Sequence, residues 1–537
     1  MMPALGGWRR WWLLSACVVV LVLGECGGTF EMFTDSATAG PGSFQAATLQ
    51  APGGLTVRNG GCSGETGQTN VTGSWNGSSA LDASGNYLVS GYNVLRSASS
   101  SGPYSSGGTV SGNPPATTYT DTSPSGAATP LAYVSSGSVS NALSINTSSY
   151  ATSPVILSGT VGIEPNALQV TPDGSKLIVA EGAGHQVQIV STATGAVANT
   201  VSIPAVNGTA SKPVAVAVSP DGSIAWIVDA ANNLVYPLSL TTSTLGGAIS
   251  VGIQGDPTAM VVTPSGGQVF VADFGSHQVS AISTSTDAVT NIAVGGTTGA
   301  PIALAVTPNS GHVYVADQGN NQIDDITTSN DTVSTTIAVP SLADGYVTGG
   351  GDPNILAITP NGSKLYVASF GYGLVGGGSV EDITTSSDSV ATTFTLPPGG
   401  VLGAPAPNAL ALTPDGCQLY VNDYDNNKVD LINVSTDTLA STTTAVGQTG
   451  DPTGMAVTPN GAAVYVANYY DPSVSVIATS SYTLAETVNM AGGSAPNAIA
   501  IIPSSYYYEV TSTHGGFASA PSPPVTYVLG WNVGNWQ

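Results

Sequence analysis

Beyond residue 150 the apolar positions fall in short runs of four to seven residues, alternating or continuous, with polar loops between them; residues 303–307 and 313–316 are examples. No apolar spacing at three and four residues persists, so the runs predict strands rather than helices. One phrase organises them. It opens at Pro165 as P-N-A-L-Q-V-T-P-D-G-S-K-L-I-V-A-E and continues through Q-V-Q-I-V-S-T-A-T-G to V-A-N-T-V at Val201. It restarts at Pro213, Pro257, Pro301, Pro353, Pro407 and Pro452, and its opening returns at Pro496, a period of 44 to 54 residues. Units of this size that cannot bury an apolar face alone predict a stacked repeat architecture.

Within each unit, T-P-D-G or a relative of it separates the first two strands, as at 171–174, 219–222, 359–362, 413–416 and 458–461. Proline fixes its own φ, Asp or Asn caps the turn and Gly takes positive φ, so the chain reverses there. Strands a and b flank the turn, c follows (474–477 in one unit) and d closes the unit (335–339 in another). Four antiparallel strands at this period predict propeller blades.

The segments V-T-P-N-S-G-H-V-Y-V-A-D (306–317) and V-T-P-N-G-A-A-V-Y-V-A-N (457–468) resemble the YVTN-type β-propeller repeat of archaeal and bacterial surface-layer and secreted proteins. The resemblance spans 153–503 and recurs in register seven times. It implies an all-β, seven-bladed propeller and leaves function open, since propellers host adhesins, scaffolds, lyases and lactonases alike. The run 155–161 resembles a d strand ahead of the first strand a, so ring closure would pair N- and C-terminal segments. The extra a-like strand at 496–503, followed by 506–510 and 525–529, makes an eighth blade from both termini the alternative, with the tail at 504–537 helping to close it.

Toward the N-terminus the pattern changes. Arg9 and Arg10 precede an apolar run at 11–24, which reads as a secretory signal and is short for a membrane span of about 20 residues. Residues 1–39 are therefore expected to be a signal and processing region, and 40–50 a linker. The mature chain is expected to be secreted or at the cell surface without a membrane span. A lipid anchor at Cys26 and an uncleaved N-terminal anchor are the alternatives. Residues 51–147 resemble a bacterial fibronectin type III module through 55–57, 71–75, 91–96, 102–104 and 118–122, with Leu131-Ala132-Tyr133-Val134 as a reduced closing strand. That implies a β-sandwich, with a spacer role favoured over carbohydrate-proximal binding.

Charge narrows the partners. Eight basic residues stand against 32 acidic ones, for a net charge of −24, so nucleic acid is excluded for want of Lys and Arg clusters. Cys62 and Cys417 fall in different modules and no C-x-x-C occurs, so neither disulfides nor zinc is expected as a framework.

The start of strand a and the end of strand b share one face of the disc, and the long insertions (204–212, 341–352, 371–378 and 398–406) map to that face. Insertions confined to one face mark a binding face. Acids gather there: Glu164, Asp256, Asp352 and Asp451 before strand a, and Glu181, Asp229, Asp273, Asp317 and Asp423 after strand b. Phe274, Phe370, Tyr424 and Tyr469 follow, with Tyr372 in an insertion. Acids beside aromatic rings suit a cation, a metal or a sugar. An Asp at a strand end also satisfies turn backbone, and an aromatic there also packs between blades.

Enzyme signals are thin. Gly371-Tyr372-Gly373-Leu374-Val375-Gly376 fits G-x-G-x-x-G but sits between strands, with no helix after it. Asp423, Asp425 and Asn427 imitate the first ligands of an EF-hand, but Lys428 replaces the glycine. His185 and His277 hold equivalent loop positions, matched with Asn320 and Asn426 elsewhere, which favours a turn role. The reading is an exported, non-catalytic binding or scaffold protein that presents an acidic face to an extracellular protein or glycan. The alternative is a propeller enzyme of the lyase or lactonase type with a divalent ion on the same face. No cofactor is expected on the first reading; calcium or another divalent ion is expected on the second.

Overall fold

The computed structural model describes residues 30–33, 46–49, 53–59, 71–77, 91–97, 105–111, 115–121, 131–136, 141–157, 165–252, 256–339, 352–370, 378–397, 405–440, 444–446, 452–490, 495–514, 517–518 and 525–529. They form two compact units.

In the larger unit, blade 1 shows the plan: strands a (Pro165–Val170), b (Lys176–Glu181), c (Gln186–Ser191) and d (Val197–Ser202) pair antiparallel in that order. Six more sheets repeat it, their a strands being Pro213–Val218, Pro257–Val262, Pro301–Val306, Asp352–Ile358, Pro407–Leu412 and Pro452–Val457. The turn chemistry is as the sequence implies. Thr171 Oγ1 donates to Asp173 Oδ1 at 2.6 Å, Asp173 Oδ1 also accepts the Ser175 N–H at 3.0 Å, and Gly174 takes φ +71°.

The ring has eight blades, not the seven expected. The eighth takes strand a from Pro496–Ile501 and strands b, c and d from Leu131–Ser136, Asn141–Asn146 and Thr152–Ile156. Leu131–Ser136 and Asn141–Asn146 thus belong to the propeller and not to the sandwich expected over 51–147. Leu131-Ala132-Tyr133-Val134 is a strand b whose strand a arrives from the far end of the chain. Its register sets Val134 opposite Ile499 and Tyr133 opposite Ala500.

Eight separate apolar clusters, one per junction between neighbouring blades, form the core. In blade 1, Leu177 and Val179 face blade 8 while Ile178 and Ala180 face blade 2. A strand covered on both faces reads as a continuous apolar run, which is why strands b do. The d strands lie outermost and alternate; blade 4's Thr332–Ala338 is mostly exposed. Aromatic residues fill the third position of strand b in seven blades, as Trp226, Phe270, Tyr314, Tyr366, Tyr420, Tyr465 and Tyr133, all buried.

A bulge at the second residue of strand a frees its side chain to reach the next blade. Thr258 Oγ1 donates to Pro301 O at 3.2 Å, Asn408 Nδ2 to Pro452 O at 2.9 Å, and Thr453 Oγ1 to Pro496 O at 3.2 Å. Asn497 Nδ2 reaches Pro165 O at 3.4 Å, joining the last blade to the first. The ring closes through this belt and through the pairing of β-strands from the two ends of the propeller, which leaves only short inner edges.

The smaller unit holds a three-stranded sheet (Gly53–Asn59, Val71–Asn76, Thr118–Asp121) and a second sheet in which Ser504–His514 pairs with Gly91–Ser97, itself paired with Ser105–Ser111. Phe517–Ala518 and Val525–Leu529 also pair with Ser504–His514. The tail therefore supplies strands to this unit, and not to the last blade. Trp75 is buried and meets Tyr92 edge-on at 5.3 Å, with Val94 and Val510 buried as well. Among the described residues no helix is long and apolar enough to cross a membrane.

Candidate binding face

The ends of strands b and the starts of strands a do lie together, and the acids there are spoken for. Asp229, Asp317 and Asp423 make one arrangement three times. Oδ1 accepts the N–H of the residue before the strand-a proline, from Lys212 and Ala300 at 2.7 Å and from Ala406 at 2.9 Å. Oδ2 accepts from the Asn three residues on, Asn232, Asn320 or Asn426, each at 2.7 Å. Glu181 accepts from Gln186 Nε2 at 2.6 Å and Gln188 Nε2 at 2.7 Å, and Asp273 Oδ2 accepts from Ser280 Oγ at 2.5 Å. All five carboxylates are fully buried. Asp229, Asp317 and Asp423 fasten the connection into strand a onto the end of strand b, whereas Glu181 and Asp273 are held by side chains of strand c.

Beneath them lies a second tier of polar residues on strands c, which the sequence pattern did not single out. Gln322 Nε2 bridges Asp317 and Asp324, at 3.1 Å to each. Buried Glu381 accepts from Ser369 Oγ at 2.8 Å and from Ser379 Oγ. Lys428 lies 3.4 Å from Asp423 and 3.5 Å from Asp430, and donates to Pro397 O at 2.7 Å. Burial raises these acids above the usual carboxylate range: Asp273 and Glu381 to about 7, and Asp430 to about 6 with Lys428 opposing the rise. Acids inside a run of apolar residues, as in Q-I-D-D-I or S-V-E-D-I, were the available signal.

The face leaves aromatic rings and two acids exposed. Phe274 is 37% exposed and Tyr470 64% exposed, while Tyr424 and Tyr469 are half-buried. Tyr469 and Tyr470 meet edge to face at 5.0 Å. Asp425, next to Tyr424, and Asp256, before strand a of blade 3, are exposed. Tyr372, Glu164 and Asp451, together with the side chains of Phe370 and Asp352, lie outside the described residues.

The remaining candidates are turn formers. His185 and His277 stand in left-handed backbone at φ 54° and 57°, as Asn233, Asn321 and Asn427 do in other blades, so the equivalent residues lie one place beyond Asn320 and Asn426. Each His Nδ1 is held by a backbone carbonyl, of Ser211 and Gly299 respectively. Asn427 and buried Asp423 thus serve the turn where an EF-hand was weighed. Among the described residues no three of His, Cys, Asp and Glu are grouped to hold a metal. Cys417 is buried and disulfide-bonded, so a disulfide is present where none was expected as part of the framework; Cys62 lies outside the described residues.

The fold defines an all-β protein of the β-propeller class, and solved structures of low sequence identity align with the chain. Hydrazine synthase from Kuenenia stuttgartiensis is 20% identical and aligns over 58% of this chain and 95% of its own, with a TM-score of 0.46. The dihydro-heme d1 dehydrogenase NirN, solved in complex with DHE, is 12% identical over 69% of this chain and 74% of its own, with a TM-score of 0.55. A streptogramin B lyase is 13% identical over 56% and 89%, with a TM-score of 0.43. At these identities the likeness is one of fold. No family model matches the chain, and no curated protein does.

Proposed function

We propose that this is an exported cell-surface or extracellular binding protein of the YVTN, surface-layer kind. Its propeller presents the face of the b-to-c connections to an extracellular glycan or protein, and the smaller unit is a fibronectin-like spacer. One observation carries the reading: on that face the acids that end strands b are buried, while Phe274, Tyr424, Tyr469 and Tyr470, just beyond those strand ends, are in contact with solvent. Rigid rings with polar tips, set on a braced scaffold, suit contact with sugar faces or apolar protein surface at small entropic cost. The net charge of −24 turns the preference toward neutral or cationic ligands.

The test is retention of the full chain on insoluble peptidoglycan, chitin and cellulose, and on intact cells. Wild type is expected to be retained, and Tyr470→Ala combined with Tyr469→Ala to weaken retention about tenfold, the effect of losing about 1.4 kcal/mol. Equal retention of the variant, or none by wild type on any of these surfaces, would contradict the reading.

A further inference from the structure

Blade 3 breaks the rule that its sister blades keep. In blades 2, 4 and 6 the residue before the strand-a proline is Lys212, Ala300 or Ala406, and its N–H satisfies Oδ1 of the strand-b acid. In blade 3 that place is taken by a second acid, Asp256. Its backbone has turned into the left-handed region at φ 39°, and its N–H donates to Asn233 Oδ1 of blade 2 at 3.1 Å. Asp273 is 0% exposed, and its Oδ1 is left with no hydrogen-bond partner. Pro257 stands opposite Asp273 in the register, so Asp256 is one residue from that orphaned oxygen.

Blades 5 and 7 avoid the pairing, and blade 1 satisfies it. Where Asp352 and Asp451 precede the proline, the residue opposite that proline is Ser369 or Asn468, and no acid faces an acid. Glu181 in blade 1, with Glu164 before its proline, has a Gln side chain on each carboxylate oxygen. Blade 3 thus keeps an acid before the proline and one opposite it, and leaves Oδ1 of the buried one without a donor while Ser280 serves its Oδ2. An uncompensated buried oxygen is costly, and a cation relieves that penalty.

We propose that blade 3 binds a hard divalent cation of the calcium type between Asp273 Oδ1, the Asp256 carboxylate and Asn233 Oδ1. All three donors are oxygens, the ligand type calcium prefers, and water can complete its shell of six to eight. The site lies at the junction of blades 2 and 3, so an occupied site clasps two blades that already share an apolar cluster. It does not depend on the glycan reading: ion binding is read without any glycan present.

The experiment is calorimetric titration of the metal-stripped full chain with Ca²⁺ and with Mg²⁺, paired with thermal melting in calcium and in chelator. Expected are one saturable Ca²⁺ site per chain and a melting temperature that rises with calcium. Asp273→Asn should abolish both, Asp256→Asn should weaken binding at least about tenfold, and Asp425→Asn, an exposed acid of blade 6, should change neither. Asp273→Asn is expected to fold, because Asn468 holds the same place in blade 7. Absence of saturable binding by wild type, or binding that survives Asp273→Asn, would overturn the proposal. Stabilisation by acid alone with no response to calcium would overturn it too, and would assign the orphaned oxygen a proton.

Discussion

The propeller is expected to melt at a higher temperature at pH 5 than at pH 8, in chelator and at fixed salt, by about 5–10 °C. Asp273 and Glu381 are raised to about 7 and Asp430 to about 6, each chiefly by burial. Glu181, Asp324, Asp382 and Asp415 move the same way for the same reason. The sign follows from linkage. In the unfolded chain carboxyls lose their protons near pH 4, whereas in the folded chain Asp273, Glu381 and Asp430 hold theirs until about 6 to 7, so between those values the folded state binds more protons and stability falls as pH rises. Below pH 4 both states are protonated and nothing more is gained from these groups; above about 7 the whole penalty is in force. Every tenfold gain in a carboxyl's proton affinity corresponds to ~1.4 kcal/mol, and relaxation around the ionised groups reduces the sum for the three most affected to roughly 5 kcal/mol. Asp221, held below its ordinary value by the Ser219 hydroxyl at 2.5 Å, works in the opposite sense but sits at an exposed turn. Melting followed by circular dichroism at pH 5, 6.5 and 8 checks this, and Glu381→Gln should flatten the profile. A flat profile, or one rising toward pH 8, would mean that these carboxyls ionise in place without cost.

Removing one short strand should have a larger effect still. A chain ending at Ala495 lacks Pro496–Ile501 and is expected to lose the cooperative unfolding of the whole propeller, whereas a chain ending at Pro503 should keep it. The strand is the inner member of blade 8. Ile501, with Ile499 beside it, packs into the junction with blade 7, and Ala500 packs into the junction with blade 1. Burial of each isoleucine is worth about 1.5–3 kcal/mol. Adding the backbone pairing to Leu131–Ser136 and the bond from Asn497 to Pro165 O brings the loss to the scale of a domain's entire stability, about 5–15 kcal/mol. Denaturant unfolding and gel filtration of the two truncated chains distinguish the outcomes. Equal behaviour would show that this strand does not close the ring.

Most of the fold was legible in the sequence because the T-P-D-G turn and the continuous strand-b runs are local signals, repeated in register. The eighth blade was legible only as an alternative made from both termini, and the reason its b and c strands were missed is specific. Leu131–Ser136 carries the same Tyr-Val pair as other b strands, at Tyr133 and Val134, but no T-P-D-G precedes it. Its partner lies some 360 residues away, as the contact from Ser135 Oγ to Asn497 Oδ1 shows. Pairing across such a separation leaves no local mark. Tail strand Ser504–His514 was hidden for the same reason, since its partner Gly91–Ser97 lies near the other end of the chain.

The candidate face was half legible. The positions of Glu181, Asp229, Asp273, Asp317 and Asp423 at strand ends were right, because strand register places them. Their burial was not, because an acid at the end of an apolar run looks the same whether it faces water or a backbone N–H. Lys212, Ala300 and Ala406 supply those N–H groups through the main chain, which side-chain identity cannot reveal.

The most direct test of the eight-bladed, two-ended ring is disulfide trapping between Val134→Cys and Ile499→Cys, which face each other in the closing blade. Opposed residues of an antiparallel pair lie about 4.5–5.5 Å apart at Cα, within the range a disulfide spans. Oxidation followed by non-reducing peptide mapping should join the peptide containing residue 134 to that containing residue 499 in nearly all molecules, without loss of the folded state. A cross-link that fails to form in folded protein would contradict the account and return the ring to seven blades.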